Sequence, residues 1–309
     1  MPFTLNNNDY LATLTNLCLQ VLTFDNLQFK NRFGVFGRQY TKYGDKIACV
    51  NAWVGDGEDY NASSSDFTNP FNAKSPEVTE TTLETKLKRR YSLKLNEDLL
   101  RGAFEDERAL EVFLNTLIKQ LRTKSEIDIY EMIVTEFGTI DMGNYQNNPQ
   151  VRGTIDTPAN VVELYTKIIE TAQKMRLPNQ NYGLSLDDSD SQRIACAEDT
   201  RIVLFCTPEL FSKLNTYVNA SLYNSSDIAL NKWIDEVRVV DVEDNETLQG
   251  ASSIYGYIAT EDIYRYSPRI ETIRSQPNGA DLSLNYFYHV WTNAGFTGAG
   301  QLAFICTEE

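Results

Sequence analysis

The sequence has few of the residues that usually carry catalysis. Its one histidine is His289, in the aromatic stretch NYFYHVW. The single histidine leaves a Cys–His pair as the only nucleophile arrangement available to the chain. No serine occupies a G-x-S-x-G elbow. We therefore interpret His289 as a structural residue of a strand and predict no catalytic residue.

The sequence also lacks cysteine motifs. Its five cysteines are odd in number and too widely spaced for a metal knuckle or a C-x-x-C redox pair. They are Cys18, Cys49, Cys196, Cys206 and Cys306. We interpret all five as free, buried thiols.

Long apolar runs are missing as well. No stretch approaches the roughly twenty apolar residues that cross a bilayer, and the start MPFTLNNNDY has no basic region followed by an apolar block. We predict no membrane partner and expect the protein to be made and kept in a cytoplasm. Hydrophobic residues make up 42% and charged residues 23% of the chain, which is typical of a globular protein. Its 309 residues are enough for one large or two ordinary domains.

Positive charge is in deficit. The chain has 28 Lys and Arg against 43 Asp and Glu, a net charge of −15, so long-range electrostatics oppose a phosphate backbone. This balance argues against a DNA-binding protein that reads sequence. The one dense basic run, KLKRR at Lys86–Arg90, lies in a strand-like segment, and we interpret it as a solvated face or a partner for nearby acids such as Glu105–Glu107.

Motifs for metals and cofactors are weak. The acidic clusters Asp187–Asp190 and Asp241–Glu246 do not match the spacing of an EF-hand, and we interpret them as solvated loop acids. GFTGAG at Gly295–Gly300 resembles a phosphate-binding loop, but it lacks G-K-[ST] and precedes a strand, so a hairpin turn is the better interpretation. We predict no metal and no cofactor.

The segment Phe36–Trp53, FGRQYTKYGDKIACVNAW, is predicted to be a β-hairpin with its turn at YGDK. Both flanking segments are polar and irregular, and a two-stranded hairpin alone is marginally stable in water. We therefore expect it to pack against a neighbouring copy of the chain. The residues expected in this inter-subunit contact are Phe36, Tyr40, Tyr43, Ile47 and Trp53.

Helices are predicted in four places, the last of them after the strand Arg201–Cys206. A short one covers about residues 8–22, and the strongest signal runs from the N-cap Asn96 to Gly138 without a proline. The alternative for this long segment is two consecutive helices broken near Lys124–Ser125. A further helix begins at Thr157–Pro158, since Thr is a good cap and Pro suits the first helical position.

Strands follow in the second half of the chain. Arg201–Cys206 is a buried-type strand that leads into a helix starting at Thr207–Pro208, and Glu236–Val242 is another strand. The middle of the chain is therefore predicted to be an α/β or α+β domain. The C-terminal stretch from Ser283 to Cys306 is predicted to be two long strands joined by the glycine-rich turn.

The order of these parts resembles the major capsid protein of tailed bacteriophages, the Hong Kong 97-type fold. The resemblance rests on the helical arm, the hairpin KYGDK with the trailing GEDYN, the basic strand ETKLKRRYSLKL, the long helix and the aromatic C-terminal strands. The segments AQKMRLPNQNYG and RIVLFCTPELFSKLNTYV are similar to the path into the axial domain of capsid proteins from small podophages.

The resemblance implies an α+β fold with a defined role for each stretch. Residues 1–34 would form the N-terminal arm and 35–80 an extended β-hairpin loop lying across the adjacent subunit. Residues 81–149 would form the peripheral domain, with its spine helix at about 97–137. Residues 150–270 would form the axial domain, and the strands of 271–309 would return to the peripheral domain.

The function implied is a structural head protein that self-assembles into an icosahedral or prolate shell around double-stranded DNA. Its partners would be itself, as hexamers and pentamers, scaffolding and portal proteins, and packaged DNA enclosed without sequence-specific binding. It would be located in the virion capsid after assembly in the host bacterial cytoplasm. Two alternatives stay open: a cation-dependent enzyme using the acids near Asp187 or Asp241, and another virion component such as a tail or adhesion protein.

Overall fold

Two β-sheets and one long helix make up most of the described structure, as expected for an α+β protein. The computed structural model describes residues 27–38, 46–53, 75–96, 107–140, 150–183, 194–218, 233–244, 253–281 and 283–307. The predicted helix at 8–22 lies outside these residues. No helix among them is long and apolar enough to cross a bilayer.

The first sheet has four antiparallel strands in the order β1-β2-β8-β7. Its strands are β1 (Ile47–Trp53), β2 (Glu77–Asn96), β7 (Tyr264–Asn278) and β8 (Ser283–Phe296). The 20-residue β2 pairs with β1 along its first part and with β8 along its second. At about 3.3 Å per residue it extends roughly 65 Å, much longer than an ordinary strand.

The second sheet has five strands in the order β3-β9-β6-β4-β5. These are β3 (Gln150–Arg152), β4 (Ile202–Cys206), β5 (Glu236–Val239), β6 (Ile254–Thr260) and β9 (Leu302–Cys306). Every residue of β4 and β9 is buried, which explains why both read as continuous apolar runs. This sheet is mixed: β3 runs parallel to β9 and β4 parallel to β5, whereas β6 is antiparallel to both of its neighbours.

The long helix α1 (Glu107–Gly138) is unbroken over 32 residues, about 48 Å at 1.5 Å per residue. The alternative of a break near Lys124–Ser125 is therefore wrong. Within the helix the buried Ser125 hydroxyl donates to the carbonyl of Arg122 at 2.7 Å, so this polar side chain has a local partner. Asn96 ends β2, and residues 97–106, where the helix was predicted to begin, lie outside the described residues.

The predicted starts of the two shorter helices are confirmed. In α2 (Pro158–Arg176) the Thr157 hydroxyl accepts from the backbone N–H of Asn160 at 3.3 Å. In α3 (Pro208–Lys213), the Thr207 hydroxyl accepts from Leu210 N–H at 3.4 Å, and a π-helical turn, Leu214–Val218, follows. Both helices begin with proline at the first position, where no N–H is needed.

An aromatic cluster lies where the N-terminal segment, the end of α1 and both sheets meet. Phe36 stacks on Phe137 with ring centroids 5.9 Å apart and lies 5.4 Å from the ring of Phe205. The cluster consists of Phe33, Phe36, Phe137, Phe205, Tyr257 and Tyr264, all with 2% or less of their surface exposed. Phe36 is thus a core residue of its own chain, and its predicted role as an inter-subunit contact is wrong.

The predicted hairpin over Phe36–Trp53 is not seen at its two described ends, which pair with other strands. Gly37 bridges to Tyr266 of β7, while Ile47–Trp53 pairs with Glu77–Leu83 across the connection 54–76. Residues 39–45, which hold the predicted turn, lie outside the described structure. The sequence signal failed because local turn chemistry cannot indicate that a more distant strand offers a longer ladder.

The glycine-rich segment 295–300 is not a hairpin turn, since β8 and β9 belong to different sheets. Gly298 has φ of +74°, and a Cβ on Gly300 would lie 2.3 Å from the backbone nitrogen of Ile263. Both glycines therefore serve a tight crossing between the sheets. The predicted boundary at residue 271 falls inside β7, and β9 joins the sheet formed by residues 150–260.

The described cysteines differ in burial. Cys206 and Cys306 are fully buried, Cys49 is half-buried, and Cys196 is exposed. All four are free thiols, as predicted, but the prediction that all are buried holds only for Cys206 and Cys306: it is wrong for the exposed Cys196 and not met by the half-buried Cys49. Cys18 lies outside the described residues.

We expect Phe36→Ala to lower the free energy of unfolding by about 3–5 kcal/mol, because it leaves a cavity inside the aromatic cluster. Urea denaturation followed by fluorescence would measure it. Val50→Ala is the matched control at a side chain that is 62% exposed, and it should cost less than about 1 kcal/mol. Equal losses for the two variants would contradict the burial of Phe36.

We expect iodoacetamide to modify Cys196 of the native protein well before the two buried thiols. Burial raises the pKa of Cys206 to about 12 and that of Cys306 to about 11, which suppresses the reactive thiolate as well as access to it. Mass spectrometry of the peptides would give each rate, and unfolding in denaturant should equalise them. Fast native labelling of Cys206 would show that β4 is not a buried strand.

Candidate assembly surface

The two-stranded ribbon formed by β1 and the first part of β2 has two unlike sides. On one side, Leu83 is fully buried, and Asn51 donates its side-chain N–H to the carbonyl of Thr297 at 2.7 Å. Ile47 lies on this side because it pairs directly with Leu83. The ribbon is therefore covered by its own chain on one side, contrary to the expectation that it stands away from any core.

The other side of the ribbon is exposed at every described position. It is formed by Ala48, Val50 and Ala52 of β1 and by Val78, Glu80 and Thr82 of β2, which we call the outer ribbon face. Val50 is 62% and Val78 56% exposed. The register places Val50 diagonally from Val78, within reach of a common apolar contact. Side chains of this kind on a long ribbon form a surface that another molecule can cover.

A β-bulge at Lys86 changes the side of the sheet on which the buried residues of β2 lie. The register passes from Thr85 opposite Asn293 to Leu87 opposite Thr292, so Lys86 is the extra residue. Because pairing residues share a face, the bulge moves the buried positions of β2 from one side of the sheet to the other. Before the bulge they face the segment at Thr297, and after it they face α1.

Polar contacts hold α1 against the sheet beyond the bulge. Asp128, only 7% exposed, accepts a short hydrogen bond from the hydroxyl of Tyr91 and lies 3.4 Å from Arg89. Burial, followed by the Asp128 carboxylate, raises the pKa of Tyr91 well above its ordinary value, so this hydroxyl keeps its proton. Burial also raises the pKa of Tyr288 to about 12. The hydroxyl of Tyr288 donates to Glu271 at 3.0 Å.

The cations of the basic run Lys86–Arg90 in β2 lie on both sides of the sheet. Lys86 forms an ion pair with Glu136 at 3.1 Å, and Arg89 pairs with Asp128, so two of its cations contact acids of α1. Lys88 and Arg90 point to the opposite side of the sheet. Glu105–Glu107, proposed from the sequence as partners, have no described side chains.

The acids considered for a cation site have structural partners where they are described. Asp241 accepts from the hydroxyl of Tyr130 at 3.0 Å, and Asp244 accepts from the backbone N–H of Ile254 at 3.1 Å. Within the described part of the chain no three His, Cys, Asp or Glu side chains group as metal ligands. Asp187–Asp190 lie outside it.

Of the five residues predicted as inter-subunit contacts, the three that are described are not brought together. Phe36 is in the core, Ile47 is half-buried on the covered side of the ribbon, and Trp53 ends β1 opposite Glu77. Tyr40 and Tyr43 lie outside the described residues. The prediction did not include the exposed Val50 and Val78. Strand alternation could have placed them on one face only if the pairing of β1 with β2 had been known.

A sequence model of the Phi29-like phage major capsid protein family matches residues 1–297. The chain belongs to this family. The family assignment confirms the tailed-phage capsid resemblance seen in the sequence. The major capsid protein of Bacillus phage B103 is 26% identical over 207 residues, which cover 65% of this chain and 42% of that protein. The aligned region thus spans less than half of the B103 protein.

Solved phage capsids share the fold. The capsid structure of Staphylococcus phage Andhra matches with a TM-score of 0.70, covering 95% of this chain and 89% of that one at 12% identity. The mature capsid of bacteriophage PhiM1 matches with a TM-score of 0.57, covering 94% and 92% at 8% identity. At these identities the comparison establishes the fold, and it confirms the predicted α+β capsid architecture.

Proposed function

We propose that this protein is the structural subunit of a phage head and that copies of it assemble into a closed shell. The outer ribbon face carries the proposal. The described residues cover only one side of this long ribbon, which leaves the other side, with Val50 and Val78, for a neighbour. Lasting protein interfaces bury well over about 1,000 Å² in total, which an extended ribbon reaches more readily than a rounded surface. In a closed shell every copy gives and receives the same contact.

The domain roles follow from the same proposal. The segment near residues 1–34 serves as the arm, the ribbon and its connection as the extended loop, and α1 as the spine of a peripheral domain built on the four-stranded sheet. The five-stranded sheet forms the axial domain at the centre of hexamers and pentamers. Membership of β9 in that sheet extends the proposed axial domain beyond residue 270.

The wider assembly is proposed on charge and family. Scaffolding and portal proteins direct closure of the shell, which takes place in the host cytoplasm and encloses double-stranded DNA. A net charge of −15 disfavours tight binding to phosphate and would keep packaged DNA from sticking to the wall. The subunit performs no catalysis in this role.

We expect the purified chain, alone or with a scaffolding partner, to form capsomers or shells at high concentration. Negative-stain electron microscopy and sedimentation velocity would detect them. The ribbon leaves apolar surface in water that assembly would bury, so association should strengthen with protein concentration. A protein that stays monomeric under all such conditions and in the native particle would refute the proposal.

We expect Val50→Asp/Val78→Asp to stop assembly while leaving the fold intact, because the change places two charges in an apolar contact. The matched control is Leu177→Asp/Ile194→Asp, which adds the same charge at side chains 63% and 51% exposed elsewhere. Circular dichroism melting should show both variants folded. Shell yield like that of the wild type from the ribbon variant would exclude the outer ribbon face as an interface.

A further inference from the structure

The side of the four-stranded sheet turned away from α1 carries an unusual set of residues. The register aligns them in rows across β2, β8 and β7: Lys88–Trp291–Ile270, Arg90–His289–Thr272 and Ser92–Phe287–Arg274, followed by Lys94–Asn285–Gln276. Residues paired across neighbouring strands share a face, so these twelve positions form one surface. We call it the basic–aromatic face.

The charge of this face is opposite to that of the protein. Its twelve positions hold four cations and no carboxylate, in a chain with 43 acids and 28 bases. Lys94 pairs with Asp281 at the turn after β7. Lys88, Arg90 and Arg274 are exposed, and they make no ion pair with the described residues. On the opposite side of the same strand, Arg89 does have an acid partner.

Aromatic rings hold two of these cations over the sheet. The ammonium of Lys88 lies 5.4 Å from the ring centroid of Trp291, and the guanidinium of Arg90 lies 5.5 Å from that of Phe287. Such contacts stabilise each cation in place above the ring, even at an exposed site. The positive charges are thus partly ordered before any partner binds, which lowers the entropic cost of binding.

We propose that the basic–aromatic face binds an acidic surface of a second copy of this chain, an inference that rests on the proposed shell function. The first argument is charge complementarity. Acids outnumber bases by 43 to 28 in each copy, so a neighbouring copy offers carboxylates that these cations can pair with at contact distance, even though two acidic chains repel each other at long range. Within a shell, other copies are also the molecules present at the highest local concentration.

The composition of the face supports a protein partner over nucleic acid. Arg, Trp and Phe are enriched in protein interfaces, and Trp291, Phe287 and Ile270 are half-exposed here. The face measures about 20 Å by 10 Å, roughly a quarter of one side of an ordinary interface, so it forms part of a larger contact.

The test is Arg90→Glu/Arg274→Glu, which reverses two exposed charges on the face. The matched control is Lys30→Glu/Lys124→Glu, with the same charge change at exposed lysines outside the sheet. We expect sedimentation velocity at low salt to show at least a tenfold weaker association of copies for the face variant and little change for the control. Added salt should narrow the difference in association between the wild type and the face variant, since screening removes the attraction that distinguishes them.

Equal association of the face variant and the wild type, with both folded by circular dichroism, would overturn the inference while leaving the shell function intact. Failure of the wild type to associate at all would instead refute the proposed function and the inference with it. Fluorescence anisotropy with a DNA duplex completes the test. Salt-sensitive DNA binding by the wild type that the face variant loses, together with normal association of that variant, would make the face a phosphate-binding site and overturn the inference.

Discussion

The packing of aromatic rings at one junction supports the rest of the structure. Phe33 and Phe36 enter this junction from the N-terminal segment, Phe137 from the last turn of α1, and Phe205 and Tyr264 from the two different sheets. Phe137 stacks on Tyr257 with centroids only 4.5 Å apart. Large rings bury more surface than other side chains, so a few of them can join elements that share no hydrogen-bonded ladder. Without this cluster the two sheets would be connected mainly by crossing segments.

The four-stranded sheet extends beyond the core that is built around this aromatic cluster. β2 continues past its pairing with β8 and carries β1 with it as a two-stranded ribbon. The bulge at Lys86 turns the buried side of this strand from α1 to the segment at Thr297, so each part of β2 has a covered side and an open side. The long strand thus presents two open surfaces, the outer ribbon face and the basic–aromatic face, on opposite sides of one sheet.

These two surfaces differ in chemistry, and together they suit assembly by many copies. One is apolar, with Val50 and Val78, and the other concentrates positive charge in an acidic protein. Apolar contact supplies affinity, whereas charge complementarity guides the orientation of the partners. The hydrogen bond from Tyr91 to Asp128 connects α1 to β2, the strand that contributes to both surfaces.

The sequence by itself determined the elements whose signals are local. The caps Thr157 and Thr207, the apolar runs of β4 and β9, and the proline-free length of α1 all follow from neighbouring residues, and the order of the elements was enough to indicate the capsid fold. Tertiary structure decided the pairings. A turn signal at YGDK predicted a hairpin, but β1 found its partner in β2, and Phe36 found a core instead of a neighbour. Strand register and the bulge at Lys86 depend on contacts between distant residues, so only the folded chain brings Val50 beside Val78 and aligns Lys88, Arg90 and Arg274 on one face.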